Sequence, residues 1–163
     1  MSRATLDALV VGGGIVGSAL ALGLRQRGAE VVLLDPAPAP VWRADAPDLR
    51  VYAIAADSQQ LLERLGVWAG LRQRRVSPYS GMRVWDAGGG GELDIDATTL
   101  GVPQLGHIVE HSLIAERLHA ALIEAGVRVE ATALDGIEND RDENERRGIA
   151  DAPGATARGG VSA

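Results

Sequence analysis

The sequence contains no cysteine, no lysine and no phenylalanine. Without cysteine the chain can form no disulfide and offers no thiolate to a metal, and this usage is compatible with a cytoplasmic protein. Acidic residues outnumber basic ones by 22 to 16, which gives a formal net charge of -6 at pH 7. Because nucleic acid attracts basic surfaces, this balance argues against nucleic acid as the main partner.

One uncharged segment, residues 8–24, has two interpretations. It follows Arg3, and residues 19–21 resemble a small-residue cleavage site, as in a secretory signal. However, the segment contains five glycines, and each would cost about 1 kcal/mol in a helix. We therefore assign the segment to the mature fold. No other apolar run approaches the length that spans a membrane.

The glycines of this segment form a turn motif. A predicted buried strand leads into the motif, and a second apolar strand ends directly before an aspartate. In such a unit the glycines permit a tight turn, a close approach of the backbone to a pyrophosphate, and close packing of the helix. The N–H groups that start the helix face the phosphates, and the acidic residue accepts from a ribose hydroxyl. The sequence therefore predicts a dinucleotide-binding unit with the candidate cofactor-binding residues Gly12, Gly13, Gly14, Ile15, Val16, Gly17 and Asp35.

Two more helices are predicted further along the chain. The first starts near Ser58, where Asp57 and Gln60 resemble a capping box. The second is capped by Ser112. A glycine that can adopt a left-handed conformation ends each helix. These glycines are Gly66 and Gly126.

The remaining strands are predicted from alternation of apolar and polar residues. Residues 82–86 and 92–96 form a predicted β-hairpin around a turn at 88–91. Residues 105–109 form a further strand, and residues 127–131 return to the parallel sheet. The sequence therefore combines a parallel sheet with an antiparallel part.

His107, Glu110 and His111 match the H-x-x-E-H pattern of inverted zinc peptidases. That pattern binds zinc only on a helix, where the two histidines share a face. Here the two intervening residues are β-branched, and the predicted helix starts only at Ser112. We therefore predict no metal site and place His107 at the end of a strand.

Two polar surfaces are predicted to be solvated. No aromatic platform accompanies the basic cluster of Arg72, Arg74 and Arg75, as a single-stranded nucleic-acid site would require. His119 falls on the polar side of the second predicted helix.

Four blocks, residues 48–54, 65–68, 75–86 and 105–110, carry a resemblance. In order and spacing they resemble the ubiquinone-biosynthesis hydroxylase family of FAD-dependent aromatic monooxygenases, over about residues 6–134. The resemblance implies that FAD is bound by the glycine motif and Asp35.

The resemblance also assigns further cofactor-binding residues. It places Arg50 near the flavin or its pyrophosphate, and Glu110 and His111 at the start of the next helix near the flavin edge. Asp35 stands where the family more often has glutamate, and His111 stands where asparagine usually follows the glutamate. The resemblance finds no counterpart here of the family's later cofactor blocks, a downstream Asp-Gly segment and a Gly-Asp-Ala segment.

The expected fold class is α/β, with a Rossmann-like FAD-binding parallel sheet and an antiparallel β insertion at about residues 76–110. This fold is incomplete relative to the family, because a doubly wound sheet needs more than the three parallel strands found. The domain covers residues 1–138. Residues 139–163, which lack leucine and are rich in charge and then in alanine and glycine, are expected to be a disordered or out-of-frame tail.

The function that the resemblance implies is hydroxylation of the aromatic ring of a prenylated ubiquinone precursor, with FAD, NAD(P)H and dioxygen. No residue is nominated as catalytic acid, base or nucleophile, and the chain alone is expected to be inactive. A cytoplasmic location is expected, with peripheral association with the inner membrane or a ubiquinone-biosynthesis complex left open. The alternatives are a catalytically inactive dinucleotide-binding remnant and an NAD-dependent dehydrogenase.

Overall fold

The computed structural model describes residues 6–136; the tail expected at residues 139–163 lies outside them. Eight strands and four helices follow one another along this part of the chain. In order they are β1 (Ala8–Val11), α1 (Ile15–Gln26), β2 (Val31–Leu34), β3 (Val51–Ala55), α2 (Ala56–Arg64), α3 (Trp68–Arg72), β4 (Val76–Tyr79), β5 (Gly81–Trp85), β6 (Glu92–Asp96), β7 (Gly106–Glu110), α4 (His111–Glu124) and β8 (Arg128–Glu130).

A parallel sheet in the order β1-β2-β8 forms the Rossmann-like part of the fold. Strand β2 lies in the centre, and all four of its residues are buried. Its register pairs Val31 with Ala8 of β1 and Val32 with Arg128 of β8. A central parallel strand is covered on both faces, which is why β2 is a continuous apolar run. The predicted α/β class and its three parallel strands are confirmed.

The antiparallel part consists of a three-stranded sheet, β3-β7-β4, and the hairpin β5-β6. The hairpin matches its prediction, with Met82 opposite Ile95. Strand β3 was not predicted as part of this sheet, yet Ala55 pairs with Gly106 of β7. This pairing joins segments far apart in the sequence, so no local pattern indicates it.

The two predicted N-terminal caps are wrong. Helix α2 starts after Ala55, which makes no side-chain cap, so Asp57 and Gln60 do not form the predicted capping box. Helix α4 starts after Glu110, and Ser112 lies inside its first turn. The Ser112 N–H instead donates to Oδ2 of Asp48 at 3.0 Å. A carboxylate distant in the sequence therefore satisfies this helix end. The predicted C-terminal glycines are confirmed, with φ of 80° at Gly66 and 72° at Gly126.

The core lies where helices α1 and α4 pack together and where α3 and α4 meet. The largest fully buried side chains are Leu22, Leu33, Leu71, Val109, Leu113, Ile114, Leu118 and Leu122. Not all of the apolar surface is covered by the described residues. The outer face of α1 exposes Val16 by 82% and Leu20 by 53%, and Leu61 of α2 is 45% exposed. These three residues line an apolar groove of about 690 Å³ between α1 and α2.

The edge of β1 opposite β2 has no strand beside it in residues 6–136. Leu9 and Val11 on this strand are 43% and 57% exposed. None of the helices in the same part of the chain is long and apolar enough to span a membrane.

Two glycines of α1 provide a matched test of how closely the helix packs. A Cβ at Gly17 would lie 1.9 Å from the carbonyl oxygen of Gly12, whereas a Cβ at Gly23 would make an ordinary contact with Leu65 at 3.6 Å. We expect Gly17→Ala to lower the free energy of unfolding by about 3 kcal/mol, the upper end for overpacking. Gly23→Ala should raise it by about 0.5–1 kcal/mol, because alanine is the better helix former. Urea unfolding of both variants measures this, and a Gly17→Ala variant as stable as the unsubstituted protein would contradict it.

Candidate functional site

The glycine turn between β1 and α1 has an unusual backbone and an open helix end. Gly12 has a φ of 99°, which only glycine adopts without strain. The buried Ser18 hydroxyl donates to the Gly13 carbonyl at 2.8 Å and fixes the turn. Gly14 precedes the helix, and no side chain caps this end. The first N–H groups of α1 have no partner within the helix and can therefore bind an anion.

Asp35 ties this turn to the loop after β2. Its Oδ2 accepts from the Gly13 N–H at 2.5 Å, and its Oδ1 accepts from the Ala37 N–H at 2.8 Å. A Cβ on Gly13 would lie 2.7 Å from Asp35 Oδ2, so a glycine is needed there. Each carboxylate oxygen can accept a second hydrogen bond, for instance from a ribose hydroxyl.

One cleft brings together four of the ten predicted cofactor-binding residues, namely Gly13, Gly14, Asp35 and His111. It has a volume of about 530 Å³ and lies between the glycine turn, the loop after β2 and one face of α4. The α4 residues in it recur every four positions, which places them on a single helix face. Its lining includes Gly13, Gly14, Leu33, Asp35, His111, Ala115, His119, Ile123, Val129 and Ala131.

The cleft contains one residue that the sequence analysis did not assign to it and leaves six predicted cofactor-binding residues outside its lining. His119, expected to be solvated, is half-buried in the cleft wall, and its spacing of eight from His111 could have indicated this position. The six predicted residues outside the lining are Gly12, Ile15, Val16, Gly17, Arg50 and Glu110. Of these, Ile15 and Val16 line the apolar groove between α1 and α2.

The space beside Gly14 is open. A Cβ built on Gly14 would meet no protein atom within 4 Å. Contacts within the protein therefore do not explain a glycine at this position. A ligand that approached the helix N-terminus would explain it, because a side chain would fill the space in front of that end.

The Glu110 carboxylate is buried and fully engaged by the protein. It is 5% exposed, and its Oε1 accepts from the Asp48 N–H at 3.0 Å and from the Arg75 guanidinium at 2.8 Å. Its Oε2 accepts from the Trp42 indole N–H. Burial raises the pKa of Glu110, but the hydrogen bonds from Trp42, Asp48 and Arg75 outweigh this and hold the pKa below its usual value.

Two of the three arginines in the basic cluster are paired with carboxylates and are not simply solvated. Arg75 pairs with the buried Glu110, and Arg74 pairs with Glu116 at 2.9 Å. The guanidinium carbon of Arg74 lies 5.1 Å from the centre of the Trp42 ring, and that of Arg75 lies 5.5 Å from it. The prediction of a solvated face therefore fails at two of the three arginines, because their partners are distant in the sequence.

Asp48 connects the Arg50 segment to helix α4. Its Oδ1 accepts from the Arg50 N–H at 2.9 Å, and its Oδ2 accepts from Ser112 as described above. The His111 N–H donates in turn to the Arg50 carbonyl at 2.8 Å. Hydrogen bonds from the backbone of Arg50 and Ser112 lower the pKa of Asp48. The sequence analysis missed this role of Asp48.

Arg50 and His111 differ in the contacts of their side chains. The Arg50 side chain is exposed, and its guanidinium makes no hydrogen bond or ion pair within residues 6–136. His111 Nδ1 lies 3.3 Å from the Tyr52 hydroxyl.

The H-x-x-E-H pattern does not have the helical geometry that zinc requires. His107 and Glu110 lie on β7, and only His111 lies on α4. His107 Nε2 is 3.0 Å from the Gln104 amide nitrogen. Burial lowers the pKa of His107, and the charge of Arg72 lowers it further. No cluster of potential metal ligands occurs among the residues described.

Sequence comparisons identify the relatives of this chain. The FAD dependent oxidoreductase family, DAO, matches residues 7–46. Over 123 residues the chain is 39% identical to the 3-demethoxyubiquinol 3-hydroxylase of Escherichia coli (strain K12), which covers 75% of this chain and 31% of that protein. It is 34% identical over 140 residues to the ubiquinone hydroxylase UbiL of Rhodospirillum rubrum, covering 80% of this chain and 32% of that protein. The chain thus spans about a third of the length of the curated relatives it matches.

Solved structures share the fold at lower sequence identity. The tetrameric 2-methyl-3-hydroxypyridine-5-carboxylic acid oxygenase has a TM-score of 0.63 and 17% identity, over 83% of this chain and 34% of its own. The flavin-dependent brominase Bmp2 has a TM-score of 0.62 and 17% identity, over 83% of this chain and 31% of its own. At this identity the likeness establishes the fold alone.

The Glu110 cluster predicts a specific acid dependence of stability. Because the folded-state pKa of Glu110 lies below the ordinary value of about 4.3, its contribution is complete above that value and is lost as the pH falls through the folded pKa. We expect Glu110→Gln to lower the free energy of unfolding by about 2 kcal/mol at pH 7, because Arg75 loses its buried partner. Between about pH 5 and 3 the variant should lose less further stability than the unsubstituted protein.

Urea unfolding at a series of pH values measures this effect. Glu63→Gln is the matched control, because the exposed Glu63 carboxylate bonds only to Gln59 within residues 6–136 and its replacement should change stability by less than about 0.5 kcal/mol. Parallel pH profiles for Glu110→Gln and the unsubstituted protein would show that Glu110 does not behave as described.

Proposed function

Because the chain belongs to the ubiquinone-biosynthesis hydroxylase family of FAD-dependent monooxygenases, we propose that its cleft binds the adenosine and diphosphate part of FAD. We further propose that the protein hydroxylates the aromatic ring of a prenylated ubiquinone precursor. The observation that carries the binding proposal is the open space at Gly14, which faces an uncapped helix N-terminus in the same cleft as Asp35.

Each part of the cleft suits one part of the nucleotide. The N–H groups at the start of α1 would bind the diphosphate, whose negative charge the helix dipole favours. Asp35 would accept from the ribose hydroxyls. Leu33, Ile123 and Val129 supply an apolar wall suited to adenine. Arg50 would add a positive charge near the diphosphate or the flavin.

FAD supplies the oxygen-transfer chemistry when it is bound, with dioxygen as oxidant and a reduced nicotinamide as electron donor. The residues of this chain bind and orient the cofactor, and we assign none of them as acid, base or nucleophile. The name of the E. coli relative, a 3-demethoxyubiquinol 3-hydroxylase, supports a quinone precursor as substrate. A polyprenyl tail on such a substrate favours peripheral association of the protein with the inner membrane at its cytoplasmic side.

A second candidate is dinucleotide binding without turnover. It is favoured by the lining of the cleft, in which Gly14 and Asp35 suit a nucleotide while no residue is assigned as acid, base or nucleophile. The third candidate, an NAD-dependent dehydrogenase, gains no support, because the matching family is FAD-dependent. Formation of a hydroxylated product from a prenylated phenol, measured together with nicotinamide oxidation, separates hydroxylation from binding alone.

The binding proposal predicts that Gly14→Val has a much larger effect on affinity than on stability. A Cβ at Gly14 meets no protein atom within 4 Å, and the valine side chain would occupy the space proposed for the diphosphate. Because valine is a poorer N-cap residue than glycine, stability should fall by only about 1 kcal/mol. Loss of two charge-assisted hydrogen bonds, at about 1.5–3 kcal/mol each, predicts a loss of FAD affinity of at least about 100-fold. Isothermal titration with FAD and with ADP measures the affinity, and thermal unfolding measures the stability.

Gly90→Val in the hairpin turn is the matched control, because a Cβ there also meets no protein atom. It should leave FAD affinity unchanged. Equal FAD binding by Gly14→Val and Gly90→Val, or no binding of FAD or ADP by the unsubstituted chain, would overturn the proposed site.

A further inference from the structure

We propose that Asp48 is a positioning residue for dinucleotide binding, which acts by holding the backbone of Arg50 against the first turn of α4 beside the cleft. The inference rests on the proposed FAD site. It assigns to Asp48 a role through Arg50 and His111, with no contact of its own to the cofactor.

The geometry of the Asp48 carboxylate is the first argument. One oxygen accepts from the Arg50 N–H at 2.9 Å and the other from the Ser112 N–H at 3.0 Å. The His111 N–H donates to the Arg50 carbonyl at 2.8 Å, so two hydrogen bonds join the loop to the helix start, and a third, between Asp48 and Arg50, orders the loop itself. A carboxylate at a helix N-terminus is also favoured by the helix dipole.

The backbone of Asp48 is fixed as well. Its N–H donates to the buried Glu110 carboxylate at 3.0 Å, and Glu110 is held by Trp42 and Arg75. Glu110 is the last residue of β7 and therefore belongs to the rigid sheet. Because Glu110 holds the backbone of Asp48, the Asp48 carboxylate can fix the positions of the Arg50 and Ser112 N–H groups.

The position of Arg50 gives this arrangement a functional meaning. Its backbone is bonded to His111, which lines the cleft, while its own side chain is exposed and unpaired within residues 6–136. A guanidinium on a fixed backbone loses less conformational freedom when it binds an anion than one on a mobile loop. The negative charge of Asp48 does not prevent the Arg50 guanidinium from binding an anion, because both Asp48 carboxylate oxygens already accept from backbone N–H groups.

A double-mutant cycle tests whether Asp48 acts through Arg50. The variants Asp48→Ala, Arg50→Ala and the double variant are titrated with FAD. Asp45→Ala is the control, because Asp45 lies in the same loop but its carboxylate pairs only with the exposed Arg43 within residues 6–136. We expect Asp48→Ala to weaken FAD binding about tenfold and Arg50→Ala to weaken it at least as much. The double variant should bind no more weakly than Arg50→Ala, whereas Asp45→Ala should bind normally. Additive losses, or normal binding by Asp48→Ala, would overturn the inference while leaving the proposed FAD site intact.

Amide hydrogen exchange tests the same inference without the cofactor. In Asp48→Ala the protection of the Arg50 and Ser112 amides should fall by at least about tenfold, while Asp45→Ala leaves it unchanged. Asp48→Asn, which keeps one acceptor oxygen, should lose protection at only one of the two amides and serves as the folded variant if Asp48→Ala does not fold. Unchanged protection in both Asp48 variants would overturn the inference. Failure of the unsubstituted chain to bind FAD would instead overturn the proposed function together with the role that rests on it.

Discussion

The buried carboxylate of Glu110 holds together three separate parts of the chain. Glu110 is both the last residue of β7 and the residue before α4, so its position relates the antiparallel sheet to the helix that lines the cleft. Its partners Trp42, Asp48 and Arg75 come from the loop before β3 and from the segment before β4. A buried charge is costly unless it is paired and hydrogen-bonded. These partners are therefore constrained to stay near Glu110, and the loop between β2 and β3 is constrained with them.

Asp35, which lines the cleft, and Asp48, which lies at the start of α4, fix the backbone in the same way. Each carboxylate accepts two backbone N–H groups and so fixes irregular backbone that has no strand or helix partner. Asp35 fixes the glycine turn to the loop after β2, and Asp48 fixes the Arg50 segment to α4. Backbone that is already ordered pays less conformational entropy when a ligand binds. The proposed nucleotide site is therefore assembled before the ligand arrives.

What could be predicted from the sequence depended on whether the signal was local. The glycine turn, the hairpin and the helix-ending glycines Gly66 and Gly126 each need particular residues at short spacing, and the structure has these elements at those places. The wrong caps have the opposite cause, because the group that binds Ser112 is Asp48, 64 residues away. The pairing of β3 with β7 and the pairing of Arg75 with Glu110 also join residues far apart in the sequence, so no local pattern indicated them. The position of His119 could have been predicted locally, because it lies eight residues after His111 on the same helix face. The sequence analysis considered only its polarity.

The apolar surface left open by residues 6–136 bears on what this part of the chain can do. Parallel sheets and the helices that cover them are normally buried, yet in this part of the chain α1 exposes Val16 and Leu20, and β1 has no strand on its outer edge. The contacts proposed for adenosine and diphosphate come from the glycine turn, Asp35 and α4, which together line one cleft. Oxygen transfer needs more than these contacts, because the reacting centre must be closed to water. Nucleotide recognition is therefore the part of the proposed function for which the contacts of these residues account.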